Sequence, residues 1–211
     1  MLGTHDFWAF LLASFLLWIT PGPDTMYILA RSVAQGRRAG ALSVLGISSG
    51  IVVHTLAAAV GLSALLAASA WAFAVVKLAG AGYLIYLGIQ ALHTRARPAG
   101  APDMKPMSNW QVYRQGFVCN VLNPKVAVFF LAFLPQFVDP QSGLGPIPFL
   151  FLGGVFVFGG TLWCLGVAMS AAGATQAVRR NAGLMVWLQR ASGCVYVALG
   201  LHLLRSRPQP A

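Results

Sequence analysis

The sequence predicts an all-α, polytopic membrane protein in which six transmembrane helices form a single domain over residues 1–211. Three observations support this fold class: little charge, six long apolar segments, and basic residues concentrated in alternate connections. Hydrophobic residues make up 58% of the 211 residues and charged residues only 9%, whereas soluble domains are about 25% charged. A chain of this length holds about six or seven spans of roughly 20 residues. We therefore expect no large extramembrane domain.

Six continuous apolar segments are each long enough to cross the hydrocarbon core of a bilayer as a helix. The segments run roughly over Phe7–Ala30, Ala41–Leu66, Trp71–Leu92, Gly116–Leu134, Ile147–Ala172 and Leu184–Leu204. We interpret the first segment as an uncleaved span and not as a signal peptide. Residues 1–6 contain no Lys or Arg, and no small-x-small cleavage site follows the apolar run.

The charges of the connections predict the orientation of these spans. Basic residues follow spans 1, 3 and 5, namely Arg31, Arg37, Arg38, Arg95, Arg97, Lys105, Arg114, Arg179 and Arg180. The connections after spans 2 and 4 contain no Lys or Arg, although Arg205 and Arg207 in the C-terminal tail oppose the pattern. Because cytoplasmic loops are enriched in Lys and Arg, we expect an inner-membrane protein with both termini outside.

Composition and motifs exclude several classes of function. The net charge of +10 does not indicate nucleic-acid binding, because the basic residues lie in short clusters between apolar runs. Cys119, Cys164 and Cys194 lie singly in apolar segments, which favours buried thiols over metal ligands or disulfides. The sequence has no Walker-type phosphate loop and no Ser/His/Asp or dicarboxylate group that suggests an enzyme. We therefore expect no cofactor and no bound metal.

The two halves of the chain resemble each other, since residues 77–88 in span 3 can be aligned with residues 189–200 in span 6. Each half has three spans, so the second half must enter from the opposite face. This gives a 3+3 inverted-topology repeat, an architecture of many secondary transporters. We place repeat 1 at about residues 1–95, a cytoplasmic loop at about 95–114 and repeat 2 at about 115–207. The alternative is chance similarity between helices rich in Leu, Ala and Gly.

Proline breaks one span in each half, helix 1 and helix 4, beside an ionisable residue. Span 1 contains Thr20-Pro21-Gly22-Pro23-Asp24, and span 4 contains Asn120 and Asn123-Pro124-Lys125. Proline removes a backbone donor and clashes with the preceding turn. The freed polar groups are tolerated at membrane depth only where protein buries them or a watery cavity solvates them. Breaks in corresponding positions indicate a central binding site, whereas one proline alone is equally explained by a packing kink.

Asp24 and Lys125 carry opposite charges at these matching breaks. We expect them to face a shared central cavity, where Asp24 attracts the ammonium group of a zwitterion and Lys125 attracts its carboxylate. The predicted substrate-binding residues are Asp24, Lys125, Pro21, Gly22, Pro23, Asn120, Asn123 and Pro124. The competing interpretation is a structural salt bridge between Asp24 and Lys125.

Two further polar residues lie inside the predicted spans. His54 could relay protons near neutral pH, or it could only form a hydrogen bond with a neighbour. Lys77 has either a functional role or a side chain that snorkels toward the outer interface. Together with Asp24, these residues are the candidates for proton coupling.

The ordered set of motifs resembles the LysE/RhtB family of bacterial amino-acid exporters. The resemblance rests on Thr20-Pro-Gly-Pro-Asp24, on Gln35-Gly-Arg-Arg-Ala-Gly40, on residues 77–88 and on the segment from Gly116 through Asn123-Pro-Lys125 to Phe130. These motifs cover most of the chain. The resemblance implies a secondary transporter that exports an amino acid or a derivative by alternating access, driven by the proton gradient.

The sequence favours a neutral substrate, such as threonine, homoserine or leucine, over a basic one. A basic substrate would call for a second intramembrane carboxylate, but Asp6, Asp103 and Asp139 lie at ends or in loops and the chain has no glutamate. The alternatives are transport of a metal ion or organic anion, or a non-transporting membrane scaffold. The expected partners are the substrate and the lipid bilayer, with a homo-oligomer as an open alternative.

Overall fold

The computed structural model describes residues 2–62, 64, 70–93, 106–173 and 182–205, and within these ranges the regular structure is helical. The α-helices are α1 (Phe7–Ile19), α2 (Pro23–Ala57), α3 (Ala70–Leu92), α4 (Asn109–Val121), α5 (Pro124–Val128), α6 (Ile147–Gly173) and α7 (Ala182–Arg205). Short π-helical turns cover Ala58–Leu62 and Phe129–Phe133, and 3-10 turns cover Leu134–Phe137 and Pro140–Ser142. The predicted all-α class is confirmed.

The described residues contain three helical stretches that are long and apolar enough to cross a membrane: Pro23–Leu62, Ala74–Leu92 and Ile147–Ala171. A fourth candidate is the bent pair Asn109–Val121 and Pro124–Phe137, whose axes differ by 45°. The apolar helices Phe7–Ile19 and Gly193–Arg205 are shorter. The arrangement of six spans in two inverted repeats therefore stays a prediction. The predicted end of span 2 at Leu66, the charges at Arg95, Arg97, Lys105, Arg179, Arg180 and Arg207, and Asp103 lie outside the described residues.

The helix α2 consists of two arms, residues 23–35 and residues 37–57, which meet at Gly36. This glycine has φ 80° and ψ −171°, a conformation that side-chain-bearing residues rarely adopt. The chain reverses direction at this glycine, so that Gly40 of the second arm lies against Ser32 of the first. The two are so close that a Cβ added at Gly40 would collide with Ser32 Oγ. In a straight helix, residues eight positions apart would be separated by about 12 Å. One glycine thus connects the first two predicted spans.

The predicted loop after span 1 needs correction, because both sides of Gly36 are helical. Arg37 and Arg38 are exposed at the start of the second arm, but Arg31 belongs to the first arm and is only 4% exposed. Arg31 donates hydrogen bonds to Gln35 Oε1 at 3.0 Å and to Gln115 Oε1 at 3.3 Å. It is therefore a packing residue between α2 and α4 and not a loop charge.

The second arm of α2 runs antiparallel to α6. A Cβ added at Gly153 would collide with Thr55, and Ser48 Oγ lies 2.7 Å from Thr161 Oγ1. As the residue number rises along α2, the number of its partner on α6 falls. This direction agrees with the predicted alternation of the spans.

The same arm runs parallel to α4 on its other side. Gly46 contacts the backbone carbonyl of Tyr113, and Gly50 contacts the side chain of Asn120. The backbones approach this closely because glycine has no Cβ. The second arm of α2 and α4 therefore enter the structure from the same side, as spans 2 and 4 are predicted to do.

The helices α3 and α7 form an antiparallel pair. A Cβ added at Gly88 would lie 2.8 Å from Gly193 O, and one added at Gly200 would lie 2.9 Å from Ala81 O. Small residues thus permit backbone contact at two levels of the pair, as in many membrane helix interfaces. Both contacts join residues 77–88 to residues 189–200, the two segments that can be aligned with each other in the sequence.

The N-terminal segment is attached to the segment that follows α5. His5 N donates to Phe137 O at 3.0 Å, and Asp139 N donates to Gly3 O at 2.9 Å. An isolated antiparallel bridge joins Thr4 to Val138. The N-terminus therefore lies on the same side as the connection between α5 and α6, as predicted, while the assignment of that side to the outside stays a prediction.

Aromatic side chains fill the interior beside the two helix breaks. The ring centroids of Phe129 and Phe156 are 4.8 Å apart, and those of Phe10 and Phe137 are 5.5 Å apart. All four side chains are nearly inaccessible to solvent. This packing joins α1 and α6 to the short helical turns that follow α5, beside the breaks where the charged residues lie.

Candidate functional site

Both predicted helix breaks are present, and the fold brings them together. The helix α1 ends at Ile19, and α2 begins at Pro23 after an extended Gly22. In the other half, α4 ends at Val121 and α5 begins at Pro124. Proline is well suited to the first turn of a helix because its missing N–H would have no partner there. Each break exposes polar backbone groups, and the side chains of the opposite break bind them or lie beside them.

Asp24 lies in the first turn of α2 and is bound by two amides from the break in the other half. Asn120 Nδ2 donates to Asp24 Oδ2 at 2.7 Å, and Asn123 Nδ2 donates to the same oxygen at 2.9 Å. The positive end of the α2 dipole further stabilises a carboxylate at this position. The other oxygen, Oδ1, is buried and has no hydrogen-bond partner among the described residues. Asp24 therefore keeps an uncommitted acceptor.

The two asparagines are held in place by their own helices. Asn123 caps α5, since its Oδ1 accepts a hydrogen bond from Lys125 N at 3.0 Å. Asn120 is fully buried in the last turn of α4, and the absence of a side chain at Gly50 leaves room for it. Each amide therefore donates to Asp24 from a position close to a helix end.

Lys125 is buried and caps the end of α1. Its Nζ donates to Leu17 O and to Thr20 O, both at 2.8 Å, which are carbonyls that the break deprives of helical partners. A cation at a helix C-terminus is also favoured by the helix dipole. The Tyr196 ring of α7 lies 5.9 Å from Nζ, within the range of a cation–π contact.

Asp24 and Lys125 are thus used reciprocally, each binding groups at the break in the opposite half. No ion pair joins them, although both belong to the described part of the chain. A buried charge is stable only when polar partners replace its water. Here the partners are amides for Asp24 and carbonyls for Lys125, which leaves the two charges separate and facing one cavity.

A small cavity lies between the two charged residues. Its volume is about 40 Å³, which is room for about one water molecule. Its walls come from α1, both arms of α2, α5 and α6. The lining residues are Leu17, Trp18, Asp24, Thr25, Ile47, Ile51, Lys125, Val126, Phe156, Gly160 and Cys164.

A larger groove on the surface between α2 and α6 has a volume of about 400 Å³ but a different character. It has no charged lining residue, and its walls are mostly aliphatic or aromatic. The lining residues are Val52, Thr55, Leu56, Leu150, Gly154, Val157, Phe158 and Thr161. Such a face suits contact with lipid acyl chains, so the charged cavity is the candidate site.

The remaining predicted residues lie at different distances from this cavity. Pro21 and Gly22 form the break itself, and a Cβ added at Gly22 would lie 3.5 Å from Lys125 Nζ. His54 Nε2 lies 3.2 Å from Asn120 O, so one residue connects it to Asp24. Lys77 is buried in α3, and it is not among the residues that line the cavity.

Trp18 and Cys164 are cavity residues that the sequence motifs did not predict. The Trp18 ring lies on α6 at Gly159 and Gly160. The pair of adjacent glycines in span 5 is the sequence signal that a large side chain from another helix approaches there. No comparable signal marks Cys164, which lines the cavity from α6.

Comparisons with known proteins identify a matching family and several relatives. Residues 15–207 match the family described as LysE type translocator. The chain is 38% identical over 144 residues to the homoserine/homoserine lactone efflux protein of Salmonella typhi, covering 66% of this chain and 68% of that protein. It is 27% identical over 146 residues to the leucine efflux protein of Salmonella choleraesuis, covering 67% of this chain and 69% of that protein.

A third relative is similar over nearly the whole length. It is an uncharacterized membrane protein of Vibrio cholerae, 29% identical over 203 residues, which are 96% of this chain and 98% of that protein. No solved structure matches the chain. The match to the family model covers most of the chain and includes both helix breaks, Asp24 and Lys125. The chain therefore belongs to the LysE type translocator family, and it is a membrane transporter and not an enzyme.

Proposed function

We propose that the chain exports a neutral amino acid, or a close derivative of one, from the cytoplasm across the bacterial inner membrane. The observation that carries this proposal is the half-buried Asp24, whose carboxylate uses only one of its two oxygens. Oδ2 accepts hydrogen bonds from Asn120 and Asn123, whereas Oδ1 has no partner among the described residues. A substrate ammonium group would supply both the missing donor and the missing positive charge.

Lys125 is suited to the other end of the zwitterion. Its ammonium group has three N–H donors, of which two bind Leu17 O and Thr20 O. The third is available to a substrate carboxylate. An amino-acid zwitterion has no net charge but contains one charge of each sign. Its ammonium group would lie beside Asp24 and its carboxylate beside Lys125, so each charge would face an opposite one.

A neutral side chain fits the rest of the lining. Apart from Asp24 and Lys125, the residues that line the cavity carry no charge. Burying a second substrate charge without a partner would be costly. The names of two relatives, which refer to efflux of homoserine or its lactone and of leucine, support this class of substrate.

Transport through this site requires the helices around it to move. Pockets for small organic ligands usually hold about 300–1,000 Å³, whereas this cavity holds about 40 Å³. We therefore interpret the structure as a closed conformation. In the proposed alternating-access cycle, the hydrogen bonds from Lys125 to the end of α1 break when the cavity opens to admit the substrate. They form again after the substrate leaves.

The proton gradient would drive this cycle through Asp24. Protonation of its carboxylate removes the charge that holds the substrate ammonium, which couples release to proton binding. His54 joins this network through its contact with Asn120 O. Lys77 is the third candidate for coupling, although it lies outside the cavity lining.

The test is efflux from cells preloaded with each of the twenty amino acids and with homoserine, with and without a protonophore. We expect faster efflux of one or more neutral amino acids from cells that express the chain, and loss of that difference with the protonophore. If efflux of every compound matches that of cells without the chain, the proposal is wrong. If the protonophore changes nothing, only the coupling is wrong.

Asp24→Asn tests the site itself. The new carboxamide oxygen can still accept from Asn120 and Asn123, so we expect a folded protein that has lost the charge. Efflux should fall by about a hundredfold, since a charge-assisted hydrogen bond in a desolvated site is worth about 1.5–3 kcal/mol. Asp6→Asn is the matched control, because Asp6 is an exposed aspartate at the N-terminus. Equal efflux from both variants would contradict the role of Asp24.

A further inference from the structure

Trp18 combines a fixed position with an unused hydrogen-bond donor. It lies in the last turn of α1, two residues before the break, and its ring packs against Phe156 of α6 with centroids 5.5 Å apart. A Cβ added at Gly159 would collide with the ring, and one added at Gly160 would lie 3.0 Å from Nε1. The adjacent glycines therefore let the indole lie directly on the backbone of α6.

The indole N–H of Trp18 is buried and binds no acceptor in the described part of the chain. Buried polar groups in proteins are nearly always hydrogen-bonded, and an exception calls for an explanation. Tryptophan that serves only for packing usually finds a partner for this donor when it is buried. Because Trp18 lines the cavity with Asp24 and Lys125, a bound substrate is the partner that can supply an acceptor.

Of the polar residues that line the cavity, which also include Thr25 and Cys164, three suit different parts of the substrate. Asp24 suits the ammonium group, and the free N–H of Lys125 suits the carboxylate. The Trp18 donor is left for the side chain of the amino acid. The other nearby walls, Ile47, Ile51 and Phe156, are apolar and present neither a donor nor an acceptor from their side chains.

We infer that Trp18 sets the side-chain specificity of the transporter: its indole N–H donates a hydrogen bond to a hydroxyl or carbonyl oxygen on the side chain of the exported amino acid. This inference rests on the proposed function and adds to it. A site that contains a buried donor rejects an analogue without the acceptor, because the donor then stays unsatisfied. Homoserine should therefore be preferred over 2-aminobutyrate, which has the same carbon chain without the hydroxyl.

The experiment measures efflux of homoserine and 2-aminobutyrate from preloaded cells that express the wild-type chain or Trp18→Phe. The wild type should export homoserine at least about tenfold faster, and Trp18→Phe should bring the ratio near one by lowering homoserine efflux more than 2-aminobutyrate efflux. Trp163→Phe is the matched control, because Trp163 belongs to α6, contacts Phe15 of α1 and does not line the cavity. Its ratio should equal that of the wild type.

Several results would overturn the inference and leave the proposed function intact. These are a wild type that exports both compounds equally, a Trp18→Phe ratio that stays at the wild-type value, or an equal fall for both compounds. The last result would show that Trp18 supports the fold or binds a group common to both substrates. Failure of the wild type to export any amino acid would instead reject the proposed function.

A second variant tests the same contact from α6. Gly159→Ala should displace the indole and lower the homoserine preference, whereas Gly154→Ala should keep it, because a Cβ at Gly154 meets nothing within 4 Å. An unchanged ratio in Gly159→Ala, measured in protein that reaches the membrane in normal amount, would contradict the role of the indole position. Gly159→Ala and Gly154→Ala therefore test the inference even if Trp18→Phe does not accumulate in the membrane.

Discussion

Lys125 donates a hydrogen bond of 2.8 Å to the backbone carbonyl oxygen of Thr20, which lies 105 residues earlier in the chain. A second bond from the same nitrogen reaches Leu17 O. One buried ammonium group therefore closes the end of a helix in the opposite half of the protein. It also lines the cavity beside Asp24, so the same nitrogen makes structural hydrogen bonds and carries the proposed binding role.

Removal of this cap should destabilise the protein. In Lys125→Met, the carbonyls of Leu17 and Thr20 lose their donor, at a cost of about 1–3 kcal/mol for each buried group left without a partner. Relief of the desolvation of the lysine opposes this loss, and we expect a net loss of about 1–3 kcal/mol. Thermal unfolding in detergent, followed by tryptophan fluorescence, measures the change, and efflux should fall to the background rate.

Leu122→Ala is the control for this variant. Leu122 lies at the same break but is 74% exposed, so its truncation removes little packing within the protein. We expect the unfolding midpoint to stay close to that of the wild type. A Lys125→Met protein as stable as this control would show that the α1 carbonyls find other partners.

Gly36 should tolerate no side chain without loss of stability. Its φ of 80° with ψ of −171° costs a non-glycine residue about 1–3 kcal/mol, and the reversal of α2 depends on it. Gly36→Ala should therefore lower the unfolding midpoint. Gly166→Ala in α6, where an added Cβ meets nothing within 4 Å, should be neutral or slightly stabilising; equal effects would reject the conformational explanation.

The contact between α3 and α7 depends on Gly88. A Cβ there would lie 2.8 Å from Gly193 O and 3.0 Å from Val197 N, and backbone atoms cannot move aside as a flexible side chain can. Gly88→Ala should separate the helices and cost about 1–3 kcal/mol, as overpacking usually does. The control is Gly82→Ala in the same helix, where nothing lies within 4 Å of the added Cβ. Equal unfolding midpoints for the two variants would show that α3 and α7 are not in close backbone contact at Gly88.

Cysteine labelling tests the predicted orientation. In a chain whose three native cysteines are replaced by serine, Gln141→Cys lies in the segment bound to the N-terminus, and Arg37→Cys lies beside the reversal at Gly36. Both positions are exposed. A membrane-impermeant maleimide should label Gln141→Cys in intact cells and Arg37→Cys only after permeabilisation, because basic connections face the cytoplasm. The reverse pattern would invert the assigned topology.

Sequence patterns anticipated the parts of this protein that depend on local chemistry. Proline at positions 21, 23 and 124 predicts both breaks, because it cannot continue a hydrogen-bonded helix. Scarce charge predicts apolar helices, and Asp24 and Lys125 are conspicuous as ionisable groups within them. The predicted connection after span 1 was too long, because the chain reverses at one glycine and needs no loop.

The sequence by itself determined where the helices break and which charged residues lie at the breaks, since both follow from neighbouring residues. Only the tertiary structure decided which atoms meet there. It directs Lys125 to the carbonyls of α1 and not to Asp24, gives Asp24 the amides of Asn120 and Asn123, and brings Trp18 to the cavity. The physical reason is that a buried polar group takes whichever partner the packed helices bring within hydrogen-bond distance, and those partners lie far away along the chain.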